Sequence, residues 1–390
     1  MRPRVRPGVD VLLDDPSCYL SSPRVGLITN PTGVTSDLTS TLEALHSHRN
    51  VKLVAIFGPE HGARGGRQDA SPIESTVDDA TGLPVYSLYG EIRKPAAEML
   101  EEVKALVFDI QDVGARFYTY ASTLTYCIEA ASEQGVPLVV LDRPNPINGV
   151  SVEGNVLEPG FESFVGLHPI PIRHGLTIGE LATLINEGIG AELSVVEMEG
   201  WERRMWFDGT GLPWVQPSPN IPTPETTAVY TGTCLFEGVN VSEGRGTTRP
   251  FEYLGAPWID GRRWAGSLNK LGFEGVSFRA CHFTPTFSKY QGEGCGGLQV
   301  HVTDRESYRP VETALHMLST ALELWPGDFE WLQPSHNEHL HFDLLAGTDK
   351  IRLDLSRGVP VDEIVEGWEE ELDEFKAVRE DHLLYPNGGA

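Results

Sequence analysis

Between residues 23 and 200, short runs of consecutive apolar residues alternate with stretches in which apolar positions recur every three or four residues. The runs are RVGLITNPTG, VKLVAIFGPE, ALVFDIQDVG, VPLVVLDRPNP and LSVVEMEGW, and between them lie STLEALHSH, KPAAEMLEEV, YASTLTYCIEAASEQG and TIGELATLINEG. This alternation predicts βαβ units. Because the runs are continuously apolar, with no polar face, the strands are expected to be covered by helices on both sides, as in a parallel sheet. Local signals place the helix ends. Ser40 with Glu43 and Thr177 with Glu180 have the capping-box spacing, Pro95 suits a first turn, and Gly135 and Gly188 suit helix stops.

After about residue 200 the texture changes. GLPWVQPSPNIPTPETTAVYTGTCLFEG is rich in Pro, Gly and Thr and reads as a linker or a long active-site loop. Beyond it GVSFRACHFTPTF and GGLQVHVTD read as strands, RPVETALHMLSTALELW as a helix, and VDEIVEGWEEELDEFKAVREDHLLYP as one charged C-terminal helix. At 390 residues the chain exceeds what one hydrophobic core usually sustains. The expected architecture is α/β: a Rossmann-like parallel sheet in an N-terminal domain over residues 1–226. A smaller mixed α+β C-terminal domain over 227–390 is expected to contribute to a shared cleft.

Charge narrows the partners. Fifty-six acids against thirty bases give a net charge of -26, which repels nucleic acid and anionic membrane surfaces. Cys18, Cys127, Cys234, Cys281 and Cys295 are scattered and never spaced Cys-x-x-Cys, so neither a disulfide framework nor a zinc knuckle is expected. The start, MRPRVRPGVDVLL, lacks the apolar stretch of a signal peptide, and no run reaches the ~20 residues of a membrane span. The expectation is a cytoplasmic protein.

In open parallel sheets ligands bind beyond the carboxyl ends of the strands, and here those positions are polar. They carry Asn30; Glu60, His61 and Arg64; Asp112, Arg116, Tyr118 and Tyr120; and Asp142 and Asn145. The first βα turn, NPTGVTSD, lacks a dinucleotide fingerprint, and no Walker A sequence or nucleophile elbow occurs. The one literal G-x-G-x-x-G match, GEGCGG at 292–297, precedes an apparent strand and reads as a turn. His336, His339 and His341 lack the spacing of a helical metal site and read as surface or packing histidines. A second polar stretch, LFEGVNVSEGRGTTRPFEYLGAPW, interleaves Glu237, Glu243 and Arg245 with glycines that let backbone approach a ligand. Two carboxylate loops facing each other across a cleft, with Tyr118, Tyr120, Trp214 and Trp258 as stacking surface, suit glycoside hydrolysis.

GLITNPTG, FGPEHGARG, TGLPVYSLYG, FDIQDVGARFYTY, VVLDRPNPING, PSPNIPTPETTAVYTGTCLFEGVNVSEGRGTTRPFEYLGAPWI and the tail through FKAVREDHLLYP resemble, in order and over nearly the whole chain, the NamZ-type exo-β-N-acetylmuramidases. The resemblance implies a Rossmann-like domain without dinucleotide, cofactor or metal, and a cleft between two domains. It also implies removal of terminal N-acetylmuramic acid from the non-reducing end of peptidoglycan fragments. Glu60 in GPEHG and Glu243 in SEGRGT match the family's signature acids. As expectations, Glu60 is the general acid with His61 orienting it, and Glu243 or Asp112 activates water or stabilises charge; a route through the substrate's own N-acetyl group stays open. Arg64, Arg116 and Arg245 are candidates to grip the lactyl carboxylate. Asn30, Tyr118, Tyr120, Asp142, Asn145, Asn220 and Glu237 complete the candidate substrate contacts. A non-catalytic saccharide-binding protein, a hydrolase of another acidic amino sugar and an oxidoreductase are the rival readings. Oligomeric state is not legible.

Overall fold

The five apolar runs become five strands of one sheet, because each is long enough to cross a core and has no polar face to leave in water. The computed structural model describes residues 5–64, 76–333 and 338–387. Its first strands are β1 (Arg24–Thr29), β2 (Lys52–Gly58), β3 (Thr76–Val77), β4 (Pro84–Ser87), β5 (Ala105–Asp109) and β6 (Leu138–Leu141). A hairpin of β7 (Glu153–Val156) and β8 (Pro171–Arg173) intervenes before β9 (Leu193–Val196). The sheet order is β3-β4-β2-β1-β5-β6-β9, parallel throughout except for the edge strand β3. With β3 set aside and the rest ranked along the chain, the order is 3-2-1-4-5-6, that of doubly wound dinucleotide-binding sheets. The order reverses between β1 and β5, so a crevice opens beyond their carboxyl ends.

Alternate residues feed opposite cores. Ile28, Phe57, Phe108 and Val140 face one layer, where the helices Tyr120–Gln134 and Ile178–Asn186 pack. Leu27, Ile56, Val107 and Val139 face the other, against the helices Gly8–Asp14 and Thr41–Ser47. Thr177 and Glu180 form a complete capping box, Ser40 accepts from the Glu43 N–H, and Gly135 takes the left-handed conformation at φ 60°. Two predicted boundaries shift. Pro95 lies outside the single turn Ala97–Leu100, whose N-cap is Ala96. The helix ending at Asn186 is capped by Glu187, and Gly190 (φ 76°), not Gly188, supplies the left-handed turn.

The second half is built on the antiparallel sheet β10-β12-β11, comprising β10 (Tyr253–Ala256), β11 (Val276–Phe283) and β12 (Cys295–Val302). GEGCGG does lead into a strand. Gly296 and Gly297 sit where a Cβ would lie 2.1 Å from the Ile259 carbonyl oxygen and 2.0 Å from that of Leu254. The helices Gly261–Asn269 and Pro310–Leu324 pack in this half. The segment read as linker or loop contains a helix, Pro224–Thr233, whose residues from Thr226 onward are all buried. A helix buried on every side has no apolar stripe, so the periodicity that revealed the others was missing. Its threonines turn hydroxyls back to backbone, as Thr231 does to the Thr227 carbonyl at 2.9 Å and Thr233 to Val229 at 2.9 Å. Thr223 as N-cap with Pro224 after it is the start signal that the sequence did carry. The expected single C-terminal helix is two, Val361–Glu366 and Glu369–Glu380, broken where Trp368 buries its ring.

The chain's last turns return to the first sheet. The Tyr385 hydroxyl donates to Asp142 Oδ2 at 2.5 Å and accepts from the Met198 N–H at 3.0 Å, sealing the β6–β9 end. Among the described residues no helix is long and apolar enough to cross a membrane. All five cysteines are free.

Candidate active site

β2 ends at Gly58, and the chain doubles back at once: the Gly62 N–H donates to the Pro59 carbonyl at 2.8 Å. A Cβ on Gly58 would lie 2.5 Å from the Ala63 nitrogen, so the turn requires glycine there. His61 takes φ 71°, a left-handed conformation that costs a side-chain-bearing residue of order 1 kcal/mol and clusters at functional sites. The result holds Glu60 and His61 at the wall of a cleft of about 310 Å³. Thr119, at the entrance of the helix Tyr120–Gln134, donates its hydroxyl to Glu60 Oε2 at 2.9 Å. Among the described residues no cation pairs with Glu60.

Tyr89, Tyr118, Tyr120 and Phe164 form much of the wall beside it. Tyr118 stands edge-on to Tyr120 at 4.9 Å and to Tyr230 at 5.8 Å, and its hydroxyl is buried without a hydrogen-bond partner. Burial and the nearby charge of Glu60 push the Tyr89 phenol up to about 12, so it is a neutral donor at physiological pH. The second half of the chain supplies the rest of the lining with Glu237, Arg245 and Phe251, and Asn220 and Ser218 come from the loop before the Pro224 helix. Arg245 Nη2 donates to Glu237 Oε1 at 2.6 Å and its Nε lies 3.3 Å from Glu243 Oε1; Lys289 Nζ donates to Glu243 Oε2 at 2.9 Å. Burial opposes ionisation of Glu237, but Arg245 and His341 outweigh it and hold its carboxyl down at about 2.

The candidates therefore separate into groups. Glu60, His61, Tyr118, Tyr120, Asn220, Glu237 and Arg245 line the cleft. Glu243 lies buried behind Arg245, locked between two cations. Asn30 is buried after β1, its Oδ1 accepting from the Thr32 N–H at 2.9 Å and its Nδ2 unpartnered. Arg64 turns to Asp78, with Nε at 2.5 Å and Nη2 at 3.0 Å. Arg116 is buried and donates to the carbonyls of Asn155, Ile170, Leu345 and Ala346. Asn145 braces the chain through the Leu176 carbonyl, and Asp142 accepts from Thr177, Gly179 and Tyr385 at the start of the Ile178 helix. Trp214 and Trp258 pack elsewhere, against Phe207 and Trp325. His341 reaches Glu237 at 3.6 Å and His339 packs on Phe161, while His336 lies outside the described residues, as does Gly65 of the Glu60 loop. Tyr89 and Thr119 went unread in the sequence because Tyr89 follows an apolar run too short to stand out as a strand, and Thr119, between Tyr118 and Tyr120, has neither charge nor ring to single it out.

Asp112 is 5 % exposed, with Oδ2 accepting the Gly114 N–H at 2.7 Å and Oδ1 unpartnered. His174 Nε2 is 3.8 Å away, too far to donate. His174 Nδ1 accepts from the Leu176 N–H, and burial lowers the ring to about 3, so it stays neutral. Burial pushes Asp112 up to about 6, above its unfolded 3.8. The fold then keeps a proton that the unfolded chain releases, and stability falls as pH rises from about 4 to above 6. Asp112→Asn is expected to flatten that dependence and to be more stable than the parent at pH 8 by up to about 3 kcal/mol, read from urea melts at pH 5 and 8. Parallel curves for the two proteins would show that the carboxylate is ionised at no cost.

One carboxyl that pairs with no cation among the described residues, an opposing carboxylate locked to arginine, and aromatic walls around a volume close to one sugar ring suit acid-assisted cleavage of a glycosidic bond. The family models described as exo-β-N-acetylmuramidase NamZ, N-terminal and C-terminal, match residues 25–225 and 228–385. The chain is 50% identical over 386 residues to the peptidoglycan β-N-acetylmuramidase NamZ of Bacillus subtilis (strain 168), covering 98% of this chain and 92% of that protein. Two crystal structures of DUF1343 family proteins from Bacteroides fragilis NCTC 9343 superpose on it. One has a TM-score of 0.90 at 39% identity, covering 99% of this chain and all of that one. The other has a TM-score of 0.80 at 31% identity, covering 98% and 99%.

Proposed function

Because the chain belongs to the exo-β-N-acetylmuramidase NamZ family, we infer that it is a glycoside hydrolase that removes terminal β-N-acetylmuramic acid from the non-reducing end of peptidoglycan-derived saccharides. The observation that carries the mechanism is the setting of Glu60, a carboxyl tethered by Thr119 on the wall of a one-sugar cleft with no cation beside it among the described residues. Glu60 protonates the glycosidic oxygen as the bond to the anomeric carbon breaks. His61 shapes the turn that presents it, and Tyr118 and Tyr120 flank the ring.

The second role falls to the substrate. Glu237 and Glu243 are both bound by cations, and Asp112 is not among the cleft-lining residues, which supports attack by the oxygen of the sugar's own N-acetyl group. The five free thiols fit a reducing compartment, and we place the activity on wall fragments recovered into the cytoplasm.

The test compares nitrophenyl β-N-acetylmuramic acid with the matching β-N-acetylglucosamine glycoside. Turnover of the first alone is expected, together with inhibition by a thiazoline made from the same sugar. A cooperatively melting protein that cleaves neither would sink the assignment, and turnover without thiazoline inhibition would return the second role to a protein carboxylate.

A further inference from the structure

Arg245, which lines the cleft, and the described cations nearest it in sequence or structure are already engaged. Glu237 and Glu243 balance Arg245 and Lys289, Arg64 is held by Asp78, and Arg116 is closed in by carbonyl oxygens. A carboxylate carried into the cleft interior would face Glu60 and Glu237 with no free positive partner among the described residues. The margin differs. The guanidinium carbon of Arg93 lies 4.3 Å from the ring centroid of Phe164, a cleft-lining residue that is itself stacked on Tyr126 at 6.4 Å and 9°.

Arg93 is exposed and has no acidic partner among the described residues. The next residue, Lys94, donates to Glu133 at 2.7 Å and Glu129 at 3.4 Å, which ties the segment to the Tyr120 helix. Arg93's charge reaches the Tyr89 phenol beside Glu60. Stacking on an aromatic face orients a guanidinium while leaving its N–H edge free for a planar anion. In a chain of net charge -26, an arginine stacked on a cleft-lining ring and without an acidic partner among the described residues has a ready use.

We propose that Arg93, mounted on Phe164, binds the lactyl carboxylate of the muramic acid and thereby sets the preference for an acidic over an uncharged amino sugar. The assignment rests on the muramidase reading of the cleft. It replaces Arg64, Arg116 and Arg245, whose guanidinium groups the fold has committed elsewhere.

The test measures kcat/KM of the full chain on nitrophenyl β-N-acetylmuramic acid and on its lactyl carboxamide, which has the same shape without the charge. A charge-assisted pair of this kind corresponds to about 10- to 100-fold preference for the acid in the parent protein. In Arg93→Met the ratio is expected to fall close to one, and Arg93→Lys to lie between, because it keeps the charge but loses the planar fork. An unchanged ratio in Arg93→Met overturns the proposal, as does an equal loss on both substrates, which would mark Arg93 as packing for Phe164. A parent that cleaves neither overturns the muramidase reading instead. Calorimetric binding of free N-acetylmuramic acid against N-acetylglucosamine, in parent and Arg93→Met, then decides Arg93 by itself.

Discussion

Glu60→Gln is expected to lower kcat on a natural saccharide leaving group by about 10²- to 10⁴-fold, the usual worth of a positioned general acid. The amide still accepts the Thr119 hydroxyl through its oxygen, so the thermal melt should coincide with the parent's. The discriminating feature is the leaving group. Nitrophenolate departs without a proton, so the loss on the nitrophenyl glycoside should be much smaller than on a disaccharide. A loss equal on both substrates would assign Glu60 to charge stabilisation, and turnover within a few-fold of the parent on the disaccharide would remove it from the chemistry.

The largest expected effect on stability is at Arg116. Its guanidinium donates 2.8 Å to the Asn155 and Ile170 carbonyls, 3.1 Å to Leu345 and 2.6 Å to Ala346, joining the β7–β8 hairpin region to the end of the helix His341–Ala346. Arg116→Ala strands several buried acceptors and opens a void, at a cost of about 3–5 kcal/mol by analogy with other buried polar networks. Urea unfolding should show the midpoint fall with the slope unchanged. Because Leu345 lines the cleft, activity should fail at a lower temperature than in the parent. A midpoint shift under about 1 kcal/mol would mean that water replaces the guanidinium at those carbonyls.

The parallel sheet was legible because its strands are uninterrupted apolar runs ending in polar residues, and that rule also delivered Glu60 and His61 to the cleft. The same rule overreached at Asp142, Asn145 and Arg116. Sequence tells that a polar residue follows a strand, but not which way its side chain turns. Asp142 turns down onto the Ile178 helix, where its carboxylate collects the Thr177 hydroxyl and the Gly179 N–H. Arg93 escaped notice for the converse reason. In GEIRKP nothing marks it, and its role depends on Phe164, 71 positions away, being brought beneath it. The Pro224 helix was hidden by uniform burial, although Thr223 and Pro224 announced its start.

The seal at the end of β6 and β9 also orders events during synthesis. Asp142 and the tyrosine that closes over it are 243 positions apart. At ribosomal speeds of ~5–20 residues per second, roughly 10–50 s separate the emergence of the two. The first sheet thus leaves the ribosome with its far edge lacking the Tyr385 contacts to Asp142 and Met198. Those contacts form only once Tyr385 has been made, long after the strand they close, so the edge of the first sheet waits on a distant part of the same chain.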